Sequence, residues 1–450
     1  MNDLTTTATD LPGRHRYPLT SHVLRLAIAL FLCRCAIGAF LIPPWQGPDE
    51  PPHYVVAEQV ANGTLEDEAA RARLERDVLQ SMALHEWWRG YRLPTPDPVP
   101  TRFTEEPEHL GRGSMVQPLY YLAAGAVLRA AHVTGLEPRY FVLRCFSVLL
   151  GVATILMAWA GTRLLFDRVT ASVVALIGAL HPQFLLSALS VTPESLANAL
   201  GAFAWWQGAR FVVAGGVAAP MLTLMAVVAA ILTKRNAVPM FPGFLLVVAA
   251  GLYPYVRRSS LAALVAMVAA PLIAAAALAI ATNSAEPVRL LRAQWYSALF
   301  QVHATADFSP GHVIAFMAGL IDSSWLVAGW LRYPAPVWWL WCVRLLTVAS
   351  VAGVIVTLVR RTELRGPLAL TIVLAASMVL GTLVYGLMTA PAPQGRYLFV
   401  VAAPLAVLLW VGFVVWWPER LQWLAAPALL AFLLALDVTG WITTVLPAYV

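Results

Sequence analysis

The chain has 450 residues, 60% of them hydrophobic and only 12% charged, with a mean hydropathy of +0.71, whereas an average soluble domain is roughly 25% charged. There is too little polar surface to cover a soluble particle, and the apolar residues fall in blocks of about 20, the length that crosses a hydrocarbon core of roughly 30 Å. This excludes a soluble enzyme, a coiled coil, a nucleic-acid reader, a disordered chain and a porin-like barrel of short alternating strands, while the formal charge of +6 is what loop arginines that orient a membrane chain bring with them.

The expectation is an all-α polytopic membrane protein, one transmembrane domain over 1–450 with about eleven spans. They are read near 23–42, 142–162, 170–189, 195–213, 217–233, 237–256, 260–281, 337–359, 367–389, 396–416 and 421–446. The first follows Arg14, Arg16 and Arg25 and is too long for the apolar part of a signal peptide. It is therefore read as an uncleaved span with a cytoplasmic N-terminus. From that start Arg163 and Arg168, Arg210, Arg257 and Arg258, Arg360, Arg361 and Arg365, and Arg420 all fall inside. Arginine-rich, lysine-poor usage suggests a GC-rich bacterium, and the expected site is its plasma (inner) membrane. Cys33, Cys35, Cys145 and Cys342 fit neither a zinc spacing nor a disulfide framework.

Two segments are too long for connectors, the first extracytoplasmic loop at 43–141 and a second at 283–336. The first holds a charged helical stretch, Glu66 to Trp88, a proline-rich run at Pro94, Pro96, Pro98 and Pro100, and an apolar piece from Gln117 to Val133. That piece is expected to lie flat at the outer interface, with Tyr120 and Tyr121 among the headgroups, because a crossing there would move every later arginine cluster outside. With this topology, single cysteines at Gly63 and Gly311 in a cysteine-free background should react with an impermeant maleimide in intact cells, and one at Thr362 should not. The opposite labelling pattern would overturn the orientation.

The sharpest local signal is Pro43-Pro44-Trp45-Gln46-Gly47-Pro48-Asp49-Glu50-Pro51-Pro52-His53-Tyr54, where the first span leaves the bilayer. Prolines stiffen the backbone there, and the paired carboxylates Asp49 and Glu50 suit a general base or a cation site facing a lipid-borne substrate. Equally, Asp49 could simply cap a helix starting near Pro51. His53 falls four residues after Asp49 and would share its helix face. Lys234, the single lysine, and Arg235 lie where the topology joins two spans on the outer side. They need a counter-charge, for which an anionic lipid phosphate or pyrophosphate is a natural partner and snorkelling into headgroups the alternative. The same reasoning covers Gln394-Gly395-Arg396-Tyr397, where Gly395 would let the backbone approach a ligand and Arg396 could fork onto phosphate oxygens, or the four could form a surface turn. Glu194 could orient a sugar or cap the helix that follows. His303, Asp307 and His312 fit no metal spacing and read as solvated loop residues, and the tryptophans at 338, 339 and 341 read as an interfacial belt.

Taken together, the outer Asp-Glu after the first span, Gln-Pro-Leu-Tyr-Tyr at 117–121, a span closing on Arg163-Leu164-Leu165-Phe166, Thr-Pro-Glu-Ser-Leu-Ala at 192–197 and Lys234 resemble the GT-C superfamily of integral-membrane glycosyltransferases. Pro-Asp-Glu-Pro-x-His with Gln-Gly-Arg-Tyr is similar to one bacterial membrane-protein family within it. The resemblance covers about residues 20–400. It implies a GT-C-like bundle whose first outer loop contains interfacial helices that shape the acceptor cleft. The implied reaction moves a sugar, with inversion, from a polyprenyl-phosphate or polyprenyl-pyrophosphate donor to an envelope glycan, lipid or protein acceptor. Asp49 would be the catalytic carboxylate with Glu50 beside it, Lys234, Arg235 and Arg396 would hold the donor phosphate, and His53, Gln117, Tyr120, Glu194, Gln394 and Tyr397 would line the substrate. Related sequences commonly carry Asp or Asn where this chain has Glu194. No metal site and no organic cofactor are implied, a divalent cation being the one compatible addition; membrane lipids are the surroundings and nucleic acid is not a partner. The competing class is a flippase of lipid-linked sugars, which inverted repeats or broken midplane helices would favour. Neither is legible in the sequence. A non-catalytic scaffold for envelope assembly is the third reading.

Overall fold

The computed structural model describes residues 20–90, 93–106, 110, 117–256, 309–389 and 393–449. The predicted span 260–281 and Arg257, Arg258, Arg289, Arg292, His303 and Asp307 lie outside the described residues. Helix α1 (Thr20–Leu41) emerges into a layer of four shorter helices: α2 (Glu50–Asn62), α3 (Glu68–Leu84), α4 (Trp87–Gly90) and α5 (Pro118–Ala131). Then follow α6 (Leu136–Leu165), α7 (Arg168–Leu180), α8 (Pro182–Ala188), α9 (Glu194–Ala214), α10 (Ala218–Thr233), α11 (Met240–Val256) and α12 (Pro310–Trp325). A two-stranded antiparallel hairpin, β1 (Val327–Ala328) and β2 (Tyr333–Pro334), leads to α13 (Val337–Arg360) and α14 (Arg365–Thr389). A 3-10 stretch, Gly395–Val401, runs into α15 (Ala402–Val414), and α16 (Gln422–Gly440) continues through a π turn, Trp441–Val445, into α17 (Leu446–Tyr449).

Ten predicted spans thus coincide with a helix or helix pair, and the protein is an all-α membrane protein. Among the described residues six helices are long and apolar enough to cross a bilayer, or seven when α7 and α8 count as one bent span. The bundle buries one large apolar core, and the outer layer has a second, aromatic core of Trp45, Tyr54, Trp87, Trp88, Phe103, Tyr120 and Tyr140. Indole N–H groups in that core are all given acceptors: Trp45 donates to Ser81 Oγ, Trp87 to the Trp45 carbonyl and Trp88 to Glu106, each at 3.0 Å. A buried donor left unpaired would offset part of what the ring's burial contributes.

Three expectations change. Tyr120 and Tyr121 do not face headgroups; they are 0% and 4% exposed, because α5 packs its tyrosine face on α2 and α6. At 14 residues, α5 is about 21 Å long, too short to cross. Trp339 does not belong to an interfacial belt, being buried with its N–H on the Leu436 carbonyl at 2.8 Å, whereas Trp338 and Trp341 are exposed. And a broken helix exists: α7 and α8 meet at 66°, where Pro182 has no N–H to continue the ladder. Phe184 N–H instead donates to His181 Nδ1 at 3.3 Å. From the middle of α1, the Arg34 guanidinium donates to the Ala179 carbonyl at this break and to the Asp437 carboxylate of α16. The pair is buried. The break sends α8 sideways and delivers residues 189–193 to the top of α1, beside the Asp49 turn.

Candidate active site

The turn after α1 is built from strained backbone. Trp45 and Asp49 both adopt the left-handed conformation, at φ 73° and 64°, which costs a non-glycine residue energy unless its surroundings insist on it. Glu50 supplies the insistence. Its side chain is fully buried; one oxygen accepts from Gly47 N–H at 2.7 Å, the other from Tyr140 O–H at 2.9 Å and Val191 N–H at 2.8 Å. Gly47 has no room for a side chain, since a Cβ would meet Ser190 Oγ at 2.4 Å. Arg144 completes the frame: it donates to Tyr140 Oη at 2.7 Å and to the Ile42 carbonyl at 3.0 Å, closing the C-terminal end of α1. Both Glu50 oxygens are therefore committed, and the expectation of Glu50 as a second catalytic carboxylate gives way to a framework role.

Asp49 is placed differently from its neighbour. It precedes α2, yet its side chain makes no capping hydrogen bond, so the helix-cap reading does not describe it. The carboxylate is 44% exposed and its Oδ2 lies 3.2 Å from Arg396 Nη2, bridging 347 positions of sequence. Arg396, at 6% side-chain exposure, also stands 3.7 Å from Glu194 Oε1. Glu194 in turn lies 3.0 Å from Lys234 Nζ. The order Asp49, Arg396, Glu194, Lys234 is an alternating line of charge, half-exposed at the aspartate and buried toward Glu194. It corrects two expectations: Glu194, the first residue of α9, neither caps that helix nor stands alone, and Lys234 and Arg396 are balanced by carboxylates of the protein itself.

His53 sits one turn along α2. Its ring nitrogen Nδ1 is 2.7 Å from Tyr121 Oη, and Nε2 is buried without a hydrogen-bond partner among the described residues. Burial first, and the Lys234 charge second, push His53 down to about 4 against the opposing pull of Asp49 and Glu194, so the imidazole is neutral at pH 7. Gln394 Oε1 accepts from Arg396 Nε at 2.9 Å, and the Tyr397 ring lies 5.5 Å from the guanidinium carbon. Both hold Arg396 in place. Gly395 packs against α12: its N–H donates to Ser323 Oγ at 2.9 Å, and a Cβ would strike Ser324 N at 2.1 Å.

Arg235 is exposed and lies 5.6 Å from the Tyr385 ring centre, outside the line of charge. Gln117 occupies the N-cap position of α5 without a side-chain cap bond, and Tyr120 belongs to the aromatic core. Among the described residues no group of three His, Cys, Asp or Glu side chains could hold a metal ion, since Arg396 separates Asp49 from Glu194. A cleft adjoins the line, with Gln46, Pro48, Gln183, Ser190, Trp330 and Arg396 in its walls. Its rim at Gly329, Trp330 and Leu331 is left-handed at three successive residues, φ 55°, 53° and 69°. Tyr140, Val191 and Trp330 are not singled out by the sequence, and Tyr121, expected among the headgroups, is instead the partner of His53. None stands in a recognisable spacing with its partner.

No family model matches the sequence, and no curated protein does. Among solved structures the chain is similar to an Archaeoglobus fulgidus oligosaccharyltransferase tethered to an acceptor peptide containing the NVT sequon, at 15% identity and TM-score 0.48, over 96% of this chain and 55% of that one. It is similar also to the archaeal oligosaccharyltransferase AglB from A. fulgidus in complex with an inhibitory peptide and a dolichol-phosphate, at 14% identity and TM-score 0.48, over 96% and 56%. The apo form of the A. fulgidus oligosaccharyltransferase gives 16% identity and TM-score 0.47, over 96% and 55%. This chain spans little more than half the length of these proteins.

Proposed function

We propose that the protein is a membrane glycosyltransferase of GT-C type that transfers a sugar, with inversion, from a polyprenyl-phosphate or polyprenyl-pyrophosphate carrier to an acceptor of the cell envelope. The observation that carries this reading is the half-exposed, uncapped Asp49 carboxylate held 3.2 Å from the buried Arg396 guanidinium. A base and an anion-binding cation thus stand side by side where the first span ends. An inverting transfer needs these two groups and little else. Asp49 removes the proton from the acceptor nucleophile, whose oxygen or nitrogen bonds to the anomeric carbon. The bond from that carbon to the carrier's phosphate oxygen breaks, and its electron pair leaves with the phosphate. The proton ends on Asp49 and the carrier phosphate on Arg396, with Lys234 behind it. Phosphate is already a good leaving group, so no second carboxylic acid is required, unlike glycoside hydrolysis. The commitment of Glu50 to the framework is consistent with that economy.

The residues around the line support the reading in kind. His53, neutral and with a buried Nε2, offers hydrogen bonding without adding charge, and the cleft beyond Pro48 gives an acceptor a route to Asp49. A flippase of lipid-linked sugars is the second reading, favoured by the break at His181. The direct test is transfer itself. Protein purified into nanodiscs is incubated with polyprenyl-linked sugars extracted from host membranes and with envelope fractions, and products are followed by mass spectrometry. Carrier consumed together with a glycosylated product supports an enzyme; carrier moved between leaflets without consumption supports the flippase.

The grip of Arg396 makes its own prediction. Lysine keeps the charge but not the fork, so Arg396→Lys should lose about 1.5 to 3 kcal/mol of carrier-phosphate binding, a rise in Kd of roughly 10-fold to 150-fold. Isothermal titration of the purified variant with a short-chain polyprenyl phosphate checks it. Unchanged affinity would remove Arg396 from the donor site.

A further inference from the structure

Resting on the reading that Asp49 and Arg396 carry out glycosyl transfer, we infer that the acceptor is a saccharide hydroxyl, held in the cleft between the turn after α1, α8 and the β1–β2 hairpin. Pro48, Arg396 and Trp330 stand in the walls of this cleft, so an acceptor seated there adjoins Asp49 through Pro48 and lies beside the cation that takes the phosphate. Three further wall residues carry neutral polar groups and are almost fully enclosed: Gln46, Gln183 and Ser190 are 5%, 6% and 7% exposed. Two of them are oriented by the fold. Gln183 Oε1 accepts from Val327 N–H at 2.8 Å, which fixes its amide nitrogen as the group that can donate. Ser190 Oγ donates to the Leu186 carbonyl at 2.9 Å, which fixes its lone pairs as acceptors. A fixed donor, a fixed acceptor and the Gln46 carboxamide, which is both, match hydroxyl groups that each give and take a hydrogen bond. The Trp330 indole adds an apolar wall of the kind that meets the C–H face of a sugar ring.

The hairpin decides between a saccharide and a peptide. An extended peptide docks on a hairpin by pairing its backbone with an open strand edge, and β1 is the strand that borders the cleft. The N–H groups along it are directed into the protein: Val327 donates to Gln183, and Gly329, next after β1, donates to Tyr449 Oη at 2.8 Å. Both partners are themselves cleft residues. That edge is therefore closed by side chains, and the polar groups offered to a ligand are carboxamide and hydroxyl. In the reaction the saccharide oxygen bonds to the anomeric carbon and its proton passes to Asp49. The bond from that carbon to the carrier's phosphate oxygen breaks, its electron pair leaving with the phosphate. The saccharide can belong to a glycan chain or to the head of a glycolipid, which present the same hydroxyls.

The test separates the acceptor classes. Full-length protein in nanodiscs, supplied with polyprenyl-linked sugars extracted from host membranes, is offered three envelope fractions in turn: protease-digested polysaccharide, solvent-extracted glycolipid, and delipidated, chemically deglycosylated protein. Products are followed by mass spectrometry. Sugar joined to a saccharide hydroxyl of the polysaccharide or of the glycolipid is the expected result, and the fraction that carries it identifies the source. Sugar joined to an amino-acid side chain or to a lipid alcohol overturns the inference and leaves the transferase reading intact, whereas carrier left unconsumed with all three fractions overturns that reading and the inference with it. Variants tie the result to the cleft. Gln183→Glu keeps the oxygen that Val327 needs and removes the donor, and Gln46→Ala removes donor and acceptor together. Each should raise the half-saturating concentration of the accepted fraction about 3-fold to 10-fold, with the Kd for a short-chain polyprenyl phosphate unchanged. Gln183→Glu puts a carboxylate in a buried position and can fail to fold, but Gln46→Ala only shortens a side chain, and a parental half-saturating concentration in that variant also overturns the inference.

Discussion

Asp49→Asn is expected to lower the transfer rate by about 10² to 10⁴, the range for removing a positioned general base, while leaving the protein as stable as the parent. The substitution keeps the side chain's shape and its tolerance of the left-handed backbone. It removes only the lone pair strength that accepts the proton. Because the side chain makes no capping bond and is nearly half exposed, its contribution to stability through Arg396 is screened by solvent. The measurement is single-turnover transfer by purified protein alongside its melting curve. A near-parental rate would mean that Asp49 only steers Arg396, and the base would have to be sought elsewhere.

Glu50 is expected to show the reverse pattern. Its carboxylate takes three hydrogen bonds from the backbone of the turn, from α6 and from the loop after α8. Glu50→Ala should therefore destabilise the fold by about 3 to 5 kcal/mol, since buried donors are left without acceptors. Glu50→Gln should be milder but still harmful, because one half of an amide is itself a donor and must face Gly47 N–H, Val191 N–H or Tyr140. Thermal unfolding in detergent, followed by intrinsic tryptophan fluorescence, separates the two neighbours: a lower midpoint for Glu50 variants and an unshifted one for Asp49→Asn. If Glu50→Gln melted like the parent and lost activity instead, the pair's roles would have to be exchanged.

The helices were legible because the bilayer imposes a length and an apolarity that any window detects; each described span was found to within a few residues except where chemistry bent it. The break at His181 was invisible to hydropathy, as Pro182 sits in a run that is apolar on both sides. Within the site, Asp49, Lys234, Glu194 and Arg396 were legible singly, as charged or strained positions where a membrane protein should have none. Their mutual arrangement was not. Lys234 and Arg396 have no counter-charge nearby in the chain, so in sequence a partner outside the molecule is the natural expectation. The counter-charges were Glu194 and Asp49, brought in by tertiary packing that no local pattern encodes. Glu50 and Asp49 are adjacent and chemically alike, and only the left-handed turn, which aims one inward and one outward, tells them apart.

The ion pair between Arg34 and Asp437 bears on how the protein comes to exist in its membrane. The two partners are 403 positions apart. Arg34 lies on α1, and its neutralising carboxylate lies on α16. Until α16 joins it, α1 holds a charge that lipid does not tolerate well. Insertion of α1 and docking of α16 are thus coupled, because either helix without the other keeps a charge uncompensated inside the bundle.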